Sequence, residues 1–156
     1  MSSVPSSSQQ NPVNQGHGFA LPWVEQLTLQ SEELNVEHRA LLQKLNSLLF
    51  ALNSGEPTGI ALTRSAMLAE AQAHFAHEEA LMVAADYPDS TVHIEQHEKL
   101  LRHLASIGYA QEYATGSLSP AGALPMLEQW FVPHITYADR LFADFIAARG
   151  SAPDAA

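Results

Sequence analysis

Between His74 and His97 the chain reads HFAHEEALMVAADYPDSTVHIEQH. His74 and Glu78 stand four residues apart, a Tyr-Pro-Asp-Ser turn follows, and His93 and His97 again stand four apart. Positions i and i+4 of a helix lie one above the other on the same face. Each pair can therefore aim two ligand atoms at one point, and a tight turn brings two such helices side by side. This stretch asks for an antiparallel helix pair with a metal site split across it. His38, His134 and Asp139 are three more candidate ligands on apolar faces elsewhere.

The rest of the chain supplies the helices such a site needs. A first helix is predicted from Ser31 to Leu52, where His38 is the polar member of a stripe formed by Leu41, Leu42, Leu45, Leu48, Leu49 and Leu52. NSGEPTG then stops it and restarts the chain. A second helix, about Ile60 to Ala85, turns Met67, Ala71, His74, Phe75, Glu78, Leu81 and Met82 inward. Asp89 or Ser90 can cap a third, about Thr91 to Tyr113, which buries His93, His97, Leu100, Leu101 and Leu104. After the loop ATGSLSPAG, Ser119 and Pro120 suit an N-cap with Pro in the first turn. The fourth helix runs to about Ala148 and contains Pro125 and Pro133, which predict a bend.

Four amphipathic helices with short connections favour an all-α, antiparallel up-down-up-down four-helix bundle. Ahead of it, Leu21-Pro22-Trp23-Val24 reads as an extended N-terminal arm whose Trp23 packs across the end of the bundle. The expected organisation is a disordered tail over residues 1–18, a bundle over 19–149 and a frayed end over 150–156.

Composition narrows the partners. Seventeen acidic residues against 7 basic ones give a net charge of −10 and no basic patch, which argues against nucleic acid and anionic membranes. The absence of cysteine removes disulfides, thiolate catalysis and zinc–sulfur sites. No leader pattern and no membrane-length apolar run is apparent, so a cytoplasmic protein is expected. Eight histidines in so acidic a chain point towards metal.

The burial argument is stronger than the count. Five histidines on predicted inner faces, with Glu78 and Asp139, would each need a partner. A buried unpaired carboxylate costs several kcal/mol, and each unsatisfied imidazole adds roughly 1–3 kcal/mol. A domain is stable by only about 5–15 kcal/mol, so the cluster calls for a compensating cation. Solvated faces fit His77, His103 and Glu79 better, with a hydrogen-bond partner to a ligand histidine as the alternative for Glu79. Other signatures fail on spacing. There is no pair of Glu-x-x-His motifs for a ferritin-like site, and HIEQH has its Glu in the wrong position for a zinc protease.

His38, HFAHEEALM, YPDSTVHIEQH and WFVPHITYAD together resemble the bacterial hemerythrins, single-domain oxygen-binding four-helix bundles. The similarity spans roughly Leu21 to Ile146, with all seven ligand positions filled at the family's spacing. It implies two iron ions bridged by Glu78, Asp139 and an oxo or hydroxo group. His93, His97 and His134 would hold one iron, and His38 and His74 the other. Three bridges plus three imidazoles close the first iron; three bridges plus two leave the second with an open position for dioxygen. Phe75, Trp130, Phe131 and Ile135 would wall that pocket and keep water out.

The chain departs from the family around His38, where it reads LNVEHRALL with Asn35 and Glu37. Pro133 immediately before His134 is also unusual inside a helix. On an ideal helix the five-residue step from His134 rotates Asp139 by about 140°, so a local widening or a bend is predicted there, a π-bulge being one form of it.

The expected function is reversible dioxygen binding for carriage, storage or sensing, with azide, nitric oxide or other small anions and gases as further ligands. No acid or base beyond the seven ligands stands out, which ranks a di-iron oxidase, peroxidase or nitric-oxide-handling enzyme second. A binding module for another divalent cation is the third possibility, because His-plus-carboxylate ligation does not choose the metal. The sequence identifies no protein partner.

Overall fold

The computed structural model describes residues 20–107 and 120–150. Among them the regular structure is helical throughout: a 3₁₀ turn at Glu25–Leu27, α1 (Glu32–Ser54), α2 (Pro57–Ala84), α3 (Ser90–Ser106), α4 (Pro120–Pro133), a π-helical turn (His134–Asp139) and α5 (Arg140–Gly150). The last three form one continuous fourth helix. The proposed tail and most of the frayed end lie outside the described residues, as does the loop at 114–119 with Ser119.

Local chemistry sets the boundaries. Ser31 accepts a hydrogen bond from the Leu34 N–H at 3.3 Å, and Glu32 and Glu33 sit where a helix N-terminus favours negative charge. α1 ends on Gly55 at φ 73°, a left-handed conformation suited to glycine, with its N–H on Ala51 O. α2 then starts at Pro57, earlier than expected. Proline is pre-set for the first helical turn, and Glu56 covers the exposed N–H groups of Thr58 and Gly59 at 2.9 and 2.6 Å. Asp89 occupies the N-cap of α3 without a side-chain cap bond. α3 ends at Ser106 and Ile107 is extended; residues 108–113 of the expected third helix lie outside the described residues.

α1 packs along α2, α2 against α3, and α4 returns against α1. Leu34, Leu41, Leu45, Leu48, Leu49 and Leu52 form the α1 face of the core, opposed by Met67, Ala71, Met82, Leu104, Leu127 and Phe142 from the other helices. Burial of each such side chain contributes about 1.5–3 kcal/mol. Leu81 and Leu101 are half-buried on the flanks. The N-terminal arm lies along α1 and not across the end of the bundle. The Asn46 amide clasps both backbone groups of Leu21 at 2.8 and 2.9 Å, Arg39 covers the Trp23 ring at 4.6 Å, and Asn35 clasps Leu29 at 2.8 and 3.0 Å. No helix among the described residues is long and apolar enough to cross a membrane.

Candidate metal centre

The four helices deliver His38 from α1, His74 and Glu78 from α2, His93 and His97 from α3, and His134 and Asp139 from the two ends of the π turn to the bundle interior. None of the seven is more than 7% exposed. Asp139 sits between two groups. Its Oδ2 lies 3.0 Å from His38 Nε2, and its Oδ1 lies 2.9 Å from both His93 Nε2 and His134 Nε2. Glu78 Oε2 faces His97 Nε2 at 3.2 Å and the Nε2 atoms of His74 and His93 at 3.7 Å each. His38 and His74 meet through their Nε2 atoms at 3.1 Å. Two sets of converging ligand atoms result: Glu78, His93, His97, His134 and Asp139 in one, and His38, His74 and Asp139 in the other.

The π turn makes this possible. The Arg140 N–H reaches back five residues to Ile135 O, so the turn is wider than an α turn. An ideal α-helix would have rotated Asp139 away from His134; the wider turn leaves both buried and 2.9 Å apart. Thr136 Oγ1 donates to Val132 O at 3.0 Å, and Arg140 Nε donates to Thr136 O at 3.3 Å. The Arg140 guanidinium also reaches Gln26 O and Thr28 O at 2.5 and 3.3 Å, tying the turn to the N-terminal arm.

The cluster fits a cation pair in three respects. Ligands about 2.1 Å from one ion and at right angles lie about 3 Å apart, which matches these separations. Both Glu78 oxygens, Asp139 Oδ2, His97 Nε2 and His134 Nε2 are buried without a hydrogen bond, although such atoms in a core normally have one. Electrostatics agrees. Burial, reinforced by the charge of Asp139, pushes the Glu78 carboxyl well above its ordinary range. Burial also works to raise Asp139, but His134, followed by its close contacts with the His134, His38 and His93 rings, holds it well below. Burial, then His134 and His93, brings His97 down to about 2, while burial and His38 lower His74. Two carboxylates this close cannot both keep their charge without positive charge between them.

Three of the far nitrogens are held from behind. With ionised carboxylates, Nδ1–H of His74 donates to Glu37 Oε2 at 2.7 Å and Nδ1–H of His97 donates to Glu79 Oε1 at 2.8 Å; His134 Nδ1 pairs with Gln96 Oε1 at 3.2 Å. Such bonds select the tautomer that leaves Nε2 free to ligate. Glu79, expected on a solvated face with the partner role as its alternative, takes the partner role. Glu37 and Gln96 were not singled out as partners, because their histidines lie on other helices. His77, expected in solvent, is half-buried and pairs with Glu37 and Glu33 at 2.6 and 3.2 Å. His103 lies away from the centre.

Of the expected wall, Phe75 stacks on His97 with ring centres 4.1 Å apart, and Phe131 and Ile135 are buried. Trp130 is placed differently: it is 45% exposed and stacks on His103 at 4.8 Å. Adjacent helical residues point about 100° apart, and Phe131 takes the inward position. Trp130 instead borders a surface groove of about 490 Å³ between α3 and the fourth helix, whose lining includes Gln96, Tyr137 and His134.

A family model described as the hemerythrin HHE cation binding domain matches residues 29–146. A bacteriohemerythrin of Stenotrophomonas maltophilia is 27% identical over 128 residues, which is 82% of each chain. Another, of Ralstonia nicotianae, is 29% identical over 136 residues, 86% of this chain and 93% of the relative. A hemerythrin-like protein of Naegleria gruberi is 28% identical over 120 residues, 75% of this chain and 86% of its own. One solved crystal structure of a point mutant shares the fold, with a TM-score of 0.71 at 20% identity, covering 81% of this chain and 97% of that one.

Proposed function

The chain belongs to the hemerythrin family of cation-binding domains, and from that premise we propose that its buried cluster holds two iron ions with an oxo or hydroxo bridge and binds dioxygen reversibly. The observation that carries this is the unequal division of imidazoles about Asp139. Three histidines converge on one side and two on the other, so one metal position is a nitrogen donor short of its neighbour. When bound, the iron pair supplies the electrons and the open coordination position that dioxygen needs.

The chain's own residues then have distinct tasks. Asp139 and Glu78 face both histidine groups and would bridge the ions. His93, His97 and His134 would saturate one position, and His38 and His74 would define the other. Phe75, Phe131 and Ile135 give the centre an apolar wall that excludes water, which otherwise promotes loss of bound oxygen as peroxide. Those walls carry no acid or base to drive turnover, which supports a carrier, store or sensor over an oxidase, peroxidase or nitric-oxide-handling enzyme.

The test combines a metal count on protein purified without added metal with absorption spectra of the reduced protein before and after air. Two irons per chain, and a visible band that appears with oxygen and disappears when oxygen is removed, are expected. One zinc per chain, or irreversible oxidation on first exposure, would defeat the proposal.

A further inference from the structure

Glu37 lies on α1 immediately before His38, yet its hydrogen bonds go to α2. Oε2 accepts from His74 Nδ1 at 2.7 Å, and Oε1 accepts from His77 Nδ1 at 2.6 Å. His77 is anchored in turn by Glu33 Oε1, 3.2 Å from its Nε2. Both oxygens of Glu37 are therefore engaged, and the carboxylate is held in one orientation behind His74.

The two metal positions differ in how well their imidazoles are supported. At the three-histidine position, His97 is backed by Glu79 and His134 by Gln96. At the two-histidine position, His38 Nδ1 is buried without a hydrogen bond, so His74 is the imidazole held from behind, and Glu37 holds it. A carboxylate on the far N–H fixes the ring and strengthens the ligating nitrogen.

We propose that Glu37, fixed by His77, is a positioning residue for the two-histidine metal position, and that this position depends on Glu37 more than the three-histidine position depends on Glu79. The proposal rests on the two-ion reading above.

Apo protein is titrated with Co(II) alone by calorimetry and visible absorption, comparing wild type, Glu37→Gln, Glu79→Gln, His77→Ala and His38→Ala. Loss of a carboxylate behind a ligand histidine typically weakens metal binding by about 10–100-fold. E37Q is expected to bind one ion as wild type does and the second with a loss in that range. The ion it retains should give the same Co(II) spectrum as the ion retained by H38A. H77A should weaken the same ion by less, and E79Q should weaken the other ion by less than E37Q weakens its own.

Wild-type affinity for both ions in E37Q, equal weakening of both, or a larger effect from E79Q would overturn the proposal. If E37Q does not fold, H77A decides: selective weakening of one ion supports the proposal, and unchanged binding overturns it. Uptake of fewer than two ions by wild type overturns the two-ion reading itself, whatever the variants do.

Discussion

At the scale of single residues, the centre depends on side chains that do two jobs. Phe75 fills the core and stacks on His97. Phe75→Ala should therefore cost about 3–5 kcal/mol of stability, as truncation of a buried phenylalanine usually does, and admit water beside the ligands. A denaturant melt should register the first effect, and faster loss of the oxygenated spectrum in air the second. A stable variant that holds oxygen as long as wild type would remove Phe75 from the wall. The candidate ligands themselves were legible because i, i+4 spacing is a local property of helices. Glu37 was not, since whether it faces His74 depends on how α1 is rotated against α2. Trp130 and Phe131 both flank the ligand positions of the fourth helix in sequence. The two side chains point about 100° apart, and it is Phe131 that is buried while Trp130 stays 45% exposed.

At the scale of elements, the π turn and the helix caps do most of the positioning. Arg140 links the turn to the arm through carbonyls of Thr136, Gln26 and Thr28. Charged hydrogen bonds are worth about 1.5–3 kcal/mol when shielded and less when exposed. Arg140→Ala should cost only about 1 kcal/mol while loosening the turn that carries Asp139. Hydrogen exchange should speed up at His134–Asp139 and little elsewhere; unchanged protection there would show that the turn holds itself.

Glu56 offers a pH test at the other end of the bundle. The backbone N–H groups of Gly59, first, and Thr58 hold its exposed carboxyl below the ordinary value. A depressed folded pKa means the cap stabilises α2 above the unfolded carboxylate pKa, and the gain disappears as pH falls through the folded value. Glu56→Gln should therefore flatten the acid limb of a stability profile below about pH 4.5 and leave its slope near neutrality unchanged. An identical acid limb would show that the cap contributes nothing in the folded protein.

At the scale of the whole molecule, the proposed metal pair should be coupled to the fold. Seven inward polar groups lose their compensation when the ions leave, so chelation should lower the melting temperature, and re-addition of iron should restore it. An apo form that melts with the holo form would contradict this. Acid should also destabilise the apo protein. His74 and His97 titrate low when folded, His97 at about 2, but near their ordinary value of about 6.5 when unfolded. The unfolded chain then binds more protons, so apo stability is intact above about pH 6.5 and falls steadily as the pH drops below it.

The sequence by itself determined the four helices, the seven candidate ligands and the wide turn between His134 and Asp139. Each follows from periodicity, capping or an angular step along one chain segment, and those forces are local. The tertiary structure alone decided that Glu37 and Gln96 stand behind His74 and His134, and which aromatic faces inward. Those outcomes depend on the rotation and offset of one packed helix against another, which no run of neighbouring residues encodes.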